Sequence, residues 1–167
     1  MNPMTAPLLM ELDQEAAATR RVLERIPEDK LAWKPHAKSY SLGELGLHTA
    51  AVAGGLARML SEDTFEITAP FTQSQATSRA QMLAALDENV ATVRTMIEGL
   101  TPERAAFIWK MKAGGKEVIA APRIALVRAL VFNHVYHHRG QLLVYLRLLD
   151  VAVPSVYGPT ADENPFM

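Results

Sequence analysis

The sequence predicts an all-α fold, a four-helix bundle with non-simple connectivity and room for one short β-hairpin between the third and fourth helices. Three observations carry this. Four segments repeat apolar residues with helical period, the connectors between them are long, and alternating strand-like residues are confined to one short stretch. With 167 residues and 49% hydrophobic content, the chain reads as a single domain, 1–167, able to bury a real core.

In the first segment Leu8, Leu12, Ala16, Thr19, Leu23 and Ile26 form one stripe, stopped by Pro27. The second opens at Ser41 with Glu44 three residues on, a capping-box pattern, and runs through Leu45, His48, Val52 and Met59 on one side. The third opens at Ser78 with Gln81, another capping box. Leu83, Leu86, Val90, Val93 and Ile97 follow, and Gly99 is the expected stop. The fourth starts at Pro122, a residue suited to a first helical position, and runs to about Asp150. Val127, Leu130, His134, His138, Gln141 and Tyr145 share its face. Between the third and fourth, Phe107, Trp109 and Met111 alternate before a Gly114-Gly115 turn and Val118, which predicts a hairpin near 107–119. Residues 26–40 and 61–77 read as connectors, the second long enough for a crossover, and the tail from Val151 reads as non-helical.

Composition excludes several functions. Lys and Arg number 17 against 18 acids, which argues against a nucleic-acid or anionic-membrane partner. There is no cysteine, hence no disulfide, thiolate metal site or cysteine nucleophile. Met1 to Pro7 lacks a basic region followed by an apolar stretch, and no segment is apolar enough to span a bilayer. The expectation is a soluble cytoplasmic protein acting on a small molecule.

The histidines carry the chemistry. His134 and His138 are four residues apart on a helix, so they sit within roughly 40° on one face. Two imidazoles so placed can grip one divalent transition metal, and His48 from a neighbouring helix would complete a three-nitrogen site with coordination positions open. A lone histidine on an apolar face is usually a satisfied core residue, but the i, i+4 pair is a spacing that metal-binding helices use. His137 lies three residues from His134, about 60° the other way, so a 134/137 pair is also geometrically open. The 134/138 pair is preferred because both flank the apolar stripe, which leaves His137 near the site's edge, where it could support a ligand from outside, face substrate or stand exposed.

Around these, Glu44 precedes His48 by one turn and could ligate or orient it, although capping is its better reading. Gln141 could bond a ligand imidazole or a bound water. His36, in a connector, reads as surface, and Asp162 and Glu163 as a solvated tail. Gly54-Gly55 inside a helix costs about 1 kcal/mol per glycine relative to alanine, which suggests a close helix approach, a subunit contact or a kink. Gly114-Gly115-Lys116 lacks the Walker spacing and reads as a turn. Trp33, Tyr40 and Trp109 read as packing residues. No Ser-His-Asp order and no pair of carboxylates placed for acid–base work stands out.

The run Asn133-His134-Val135-Tyr136-His137-His138-Arg139-Gly140-Gln141-Leu142 resembles the closing motif of the DinB-like family of damage-inducible four-helix proteins. Tyr40-Ser41-Leu42-Gly43-Glu44-Leu45-Gly46-Leu47-His48 is similar to that family's first histidine motif, with Tyr40 where an aromatic, often Trp, is usual. The ending from Val153 to Glu163 resembles a common family tail. The resemblance implies a bundle of unusual connectivity, a divalent ion, usually Zn or Ni, on His48, His134 and His138, and frequent homodimers. Some relatives look like thiol S-transferases using low-molecular-weight thiols such as bacillithiol or mycothiol, and others resemble isomerases. Three functions follow as expectations. One is a thiol transferase in detoxification or stress. Another is a metal-dependent hydrolase with Glu44 or His137 as general base. The third is a stress-associated scaffold whose metal is structural and closed by Glu44 or Asp162.

Overall fold

The computed structural model describes residues 3–167. It contains the helices α1 (Ala6–Glu24), α2 (Leu42–Ser61), α3 (Arg79–Glu98), α4 (Pro102–Ala106), α5 (Arg123–Leu126) and α6 (Asn133–Leu148), and the strands β1 (Thr64–Ile67), β2 (Ile108–Ala113) and β3 (Lys116–Pro122). The helix starts follow local chemistry. Ser41 and Glu44 make the reciprocal capping box that opens α2. At α3 the box is only half formed: Ser78 accepts from the Gln81 N–H, but the Gln81 side chain accepts from the N–H and hydroxyl of Thr77 instead. Pro7 stands in the first turn of α1, where its missing N–H costs nothing.

Helices α1, α2, α3 and α6 pack together, with α2 between α3 and α6. Two apolar clusters fill the space. One holds Val22, Leu23, Ile26, Leu42, Leu45, Met82, Leu142 and Leu146. The other holds Leu60, Val93, Ile97, Trp109, Val127 and Phe132 and extends under the sheet. Trp109 is fully buried and donates its indole N–H to the Met59 carbonyl, 3.2 Å away, which fastens the sheet to the end of α2. Gly54 permits the closest approach of α2 to α3, since a Cβ there would lie 2.0 Å from Asn89 Oδ1. The close contact expected at Gly54-Gly55 is therefore one within the chain at Gly54, while Gly55 faces open space.

Three expectations need correction. The fold is mostly helical but not all-α, and its sheet is mixed rather than a simple hairpin, in the order β1-β2-β3. β1 falls inside the supposed connector 61–77 and pairs parallel to β2, from Thr64 with Lys110 to Ile67 with Ala113. Parallel neighbours need a crossover, and α3 supplies it. β2 and β3 run antiparallel across Gly114 and Gly115, whose φ values of 56° and 74° are the left-handed conformation that glycine adopts freely. Second, Pro122 ends β3 instead of opening a helix, which begins at Arg123.

Third, the fourth segment is not one uniform helix. Between α5 and α6, Val127–Phe132 forms wider π-helical turns. The i→i+5 bonding of such turns adds a residue per turn and re-phases the faces on either side. Val127 and Leu130 accordingly pack in the core near the sheet, while His134 and His138 open onto a cleft and Tyr145 packs near Trp33.

Candidate metal centre

His48 projects from the second turn of α2, and His134 and His138 from consecutive turns of α6. Their imidazoles converge, with ring centroids 4.5 Å apart for His48 and His138, 4.7 Å for His134 and His138, and 5.5 Å for His48 and His134. One nitrogen from each lies within 4.8 Å of the other two. Nε2 of His48 and Nε2 of His138 are 3.1 Å apart. Nitrogens bound to one tetrahedral zinc at about 2.0–2.1 Å would stand about 3.3 Å apart, so the cluster is within small side-chain adjustments of a ligand set.

The surroundings keep the rings neutral. Burial lowers the pKa of His48, partly opposed by a hydrogen bond from its ring to the Gln73 side chain. Burial, then the nearby His48 and His137, lowers that of His134. His138 is pushed down to about 4, by burial first, then against a bond to Gln141, and then by its three neighbouring histidines. A neutral imidazole has one nitrogen with a free lone pair, which is the form a metal takes. Gln141 selects that nitrogen on His138: Nδ1–H donates to the amide oxygen at 2.8 Å, which leaves the Nε2 lone pair for the cluster. Three neutral nitrogen donors this close together fit a divalent metal ion.

The other expected residues separate. His137 is exposed, with its ring centroid 4.8 Å from that of His138, and does not join the cluster. Glu44 is occupied: it accepts from the Ser41 N–H at 2.7 Å and pairs with Lys34 at 3.3 Å. His36 lies in its exposed connector. Asp162 and Glu163 are not a solvated tail. Their carboxylates cap the Val153 and Ser155 N–H groups at 2.8 Å and pair with Arg147 and Arg25.

The cluster forms one wall of a cleft of about 520 Å³, a size suited to a small molecule. Val52, Leu56, Met59 and Phe71 supply apolar surface, and Arg58, Thr72 and Gln73 polar groups. Tyr40 is a cleft residue rather than a packing residue, 42% exposed with its ring 5.8 Å from that of His48. Sequence reasoning did not reach Phe71, Gln73 or Arg58. The first two lie in a segment without periodicity, and nothing local distinguishes Arg58 from a solvated helix arginine.

The molecule is thus a mostly helical protein with a three-histidine cluster in the wall of an open cleft. Residues 1–164 match the model of the DinB family, and the chain belongs to that family. It is 28% identical over 155 residues to the uncharacterized protein YrdA of Bacillus subtilis strain 168, across 89% of this chain and 85% of that one. A crystal structure of a DinB-like protein from Bacillus subtilis superposes with a TM-score of 0.66 at 21% identity, covering 90% of this chain and 96% of the other. One from Bacillus cereus ATCC 10987 gives 0.67 at 21% identity, covering 89% and 95%. The fold is therefore DinB-like. Among the described residues no helix is long and apolar enough to cross a membrane.

Proposed function

We propose that the protein holds one divalent ion, Zn or Ni, on His48, His134 and His138, and uses it to activate a low-molecular-weight thiol for transfer to an electrophile, a role suited to detoxification or stress. The observation that carries this reading is the convergence of three neutral imidazoles on the wall of an open cleft, with no further histidine or carboxylate in the cluster among the described residues. When bound, such an ion supplies Lewis acidity, which lowers the pKa of a thiol or water brought to it. The chain's own residues do the rest. Gln141 fixes the orientation of His138, Gln73 braces His48 from across the cleft, and the apolar wall of Val52, Leu56, Met59 and Phe71 keeps water from a bound substrate. The chain has no cysteine, so the reactive sulfur arrives with a co-substrate.

Hydrolysis is the less supported reading. Its general base would be Glu44 or His137, but Glu44 is committed to its cap and to Lys34, and neither residue lines the cleft. A purely structural metal would favour a closed fourth position, and Asp162 is occupied in the tail. The test is metal content together with a screen of several thiols and electrophiles, on wild type and His134→Ala in parallel. The expected result is about one ion per chain and thiol-dependent conjugation in the wild type, with both lost in the variant. Wild type that takes up no divalent ion would overturn the reading.

The outer face of α6 supports a homodimer. Val144 and Leu148, one turn apart, are each 58% exposed, and Gly140 precedes them by another turn. Light scattering should give a dimer mass, and a monomer at tens of micromolar would exclude this assembly.

A further inference from the structure

We propose that the histidine cleft takes an elongated small carboxylate, with its metal-seeking head at the histidine cluster, its apolar middle along α2 and its carboxylate on Arg58. This rests on the metal-site reading for the head and on independent observations for the tail. Arg58 is the one Lys, Arg, Asp or Glu among the residues that line the cleft, so the cleft contains no acid to neutralise it. Its hydrogen-bond partners are neutral and distant: Nη1 donates to Thr92 Oγ1 at 3.4 Å and Nη2 to Asn89 Oδ1 at 3.3 Å. Those contacts hold the guanidinium in place without cancelling its charge, and its other N–H donors remain for a ligand. Seven other arginines each pair with a carboxylate, and Arg21, Arg79 and Arg104 donate to backbone carbonyls away from the cleft.

The geometry gives the ligand its length. His48 and Arg58 stand on the same helix, ten residues and about 15 Å apart along its axis. Side chains reaching into the cleft from both ends leave a span on the order of 10 Å between imidazole and guanidinium. Ala51, Val52, Gly55 and Leu56 occupy the α2 surface between them, so the floor is apolar. At Gly55 an added Cβ would meet nothing within 4 Å, so nothing in the chain fills the middle of the cleft. A cation at one end, donors for a metal at the other and an unfilled apolar floor between them match one molecule with three corresponding parts. Arg forms bidentate bonds with carboxylates, which makes that group the fitting tail.

The test compares ω-mercaptooctanoate with ω-mercaptooctanol by calorimetric titration of zinc-loaded protein, and octanoate with octanol on metal-free protein. Wild type should bind each acid about tenfold more tightly than its alcohol. Arg58→Gln should remove the preference, Arg58→Glu should invert it, and Arg58→Lys should keep part of it, all with unchanged zinc content and helical circular dichroism. Equal binding of acid and alcohol by wild type, or a preference that survives Arg58→Glu, would overturn the proposal. The metal reading fails separately, by absence of zinc uptake. In that case the octanoate and octanol pair, which needs neither metal nor thiol, still decides the role of Arg58.

Discussion

His138 and Arg139 are neighbours on α6, both buried, and the chain treats them in opposite ways. Arg139 is fully compensated. It pairs with the Glu15 carboxylate, donates to the Glu15 carbonyl at 3.1 Å and to Thr19 Oγ1 at 3.2 Å, and bonds the Tyr157 hydroxyl. Its guanidinium also lies over the rings of Tyr136 and Tyr157, at 5.5 and 5.1 Å. Tyr136, one turn earlier on α6, and Arg128 in the preceding π turns both bond Glu11, so this side is a closed network that binds α1 and the C-terminal tail to the last helical segment. On the cleft side, His138 has Gln141 on one nitrogen and only another imidazole nitrogen on the other. A buried polar group with its partners in place is structural, and one whose remaining partners are donors of the same kind waits for something the chain does not contain.

Removing ligands from the open face should have the largest effect. His134→Ala or His138→Ala should reduce bound Zn or Ni from about one equivalent to near zero after dialysis, measured by elemental mass spectrometry, while the fold survives. His137→Ala and His36→Ala should keep the metal. Loss in His137→Ala with retention in His138→Ala would mean that the pairing is 134/137.

The closed face should respond in stability instead. Arg139→Ala leaves the Glu15 carboxylate, which is 14% exposed, with the Tyr157 hydroxyl but without its cation, and should cost about 3–5 kcal/mol in urea unfolding. Metal uptake by the folded fraction should persist. Replacing Arg139 and Glu15 together by Met and Leu should recover most of the loss, and failure to recover would mean that the network is worth more than its ion pair.

A smaller contrast lies on α2. Gly54→Ala puts a methyl against Asn89 and should destabilise by about 1–3 kcal/mol, whereas Gly55→Ala should be neutral or stabilise by up to about 1 kcal/mol. Gly55→Ala should still weaken octanoate binding, because the methyl enters the cleft.

The smallest expected difference is in acid sensitivity of the metal-free protein. The folded pKa of His138, about 4, lies below the ordinary imidazole value of 6.5, so the unfolded chain takes up the proton first. This contribution is complete above 6.5 and is lost as pH falls from there toward 4. Glu11 is held below 4.5 chiefly by its bond from Arg128, so its contribution is present above 4.5 and is lost at lower pH. Urea midpoints across pH should therefore show His138→Gln flattening the upper window and Glu11→Gln the lower one. Identical profiles for the two variants would contradict the separation.

Much of the site was legible locally. His134, His138 and Gln141 lie within eight residues of one helix, so their shared face follows from helical geometry. The capping box at Ser41 and Glu44 announces both the start of α2 and the occupation of Glu44. His48 was placed with them by resemblance to a family motif, since no periodicity links it to α6.

The sequence by itself determined the main spans of α1, α2, α3 and α6, the capping box of α2, the Gly114-Gly115 turn and the shared face of His134 and His138, because each is set by residues a few positions apart. Only the tertiary structure decided the rest. β1 is a strand because β2 lies beside it, a pairing that depends on α3 crossing between them. The π turns at 127–132 accommodate helix and core at once, and no local signal marks them. Gln73, Phe71 and Arg58 become cleft residues only when a connector and the far end of α2 meet α6. Backbone propensity and capping act within a turn or two, whereas a site is made by packing that brings distant residues together, and that packing is a property of the whole core.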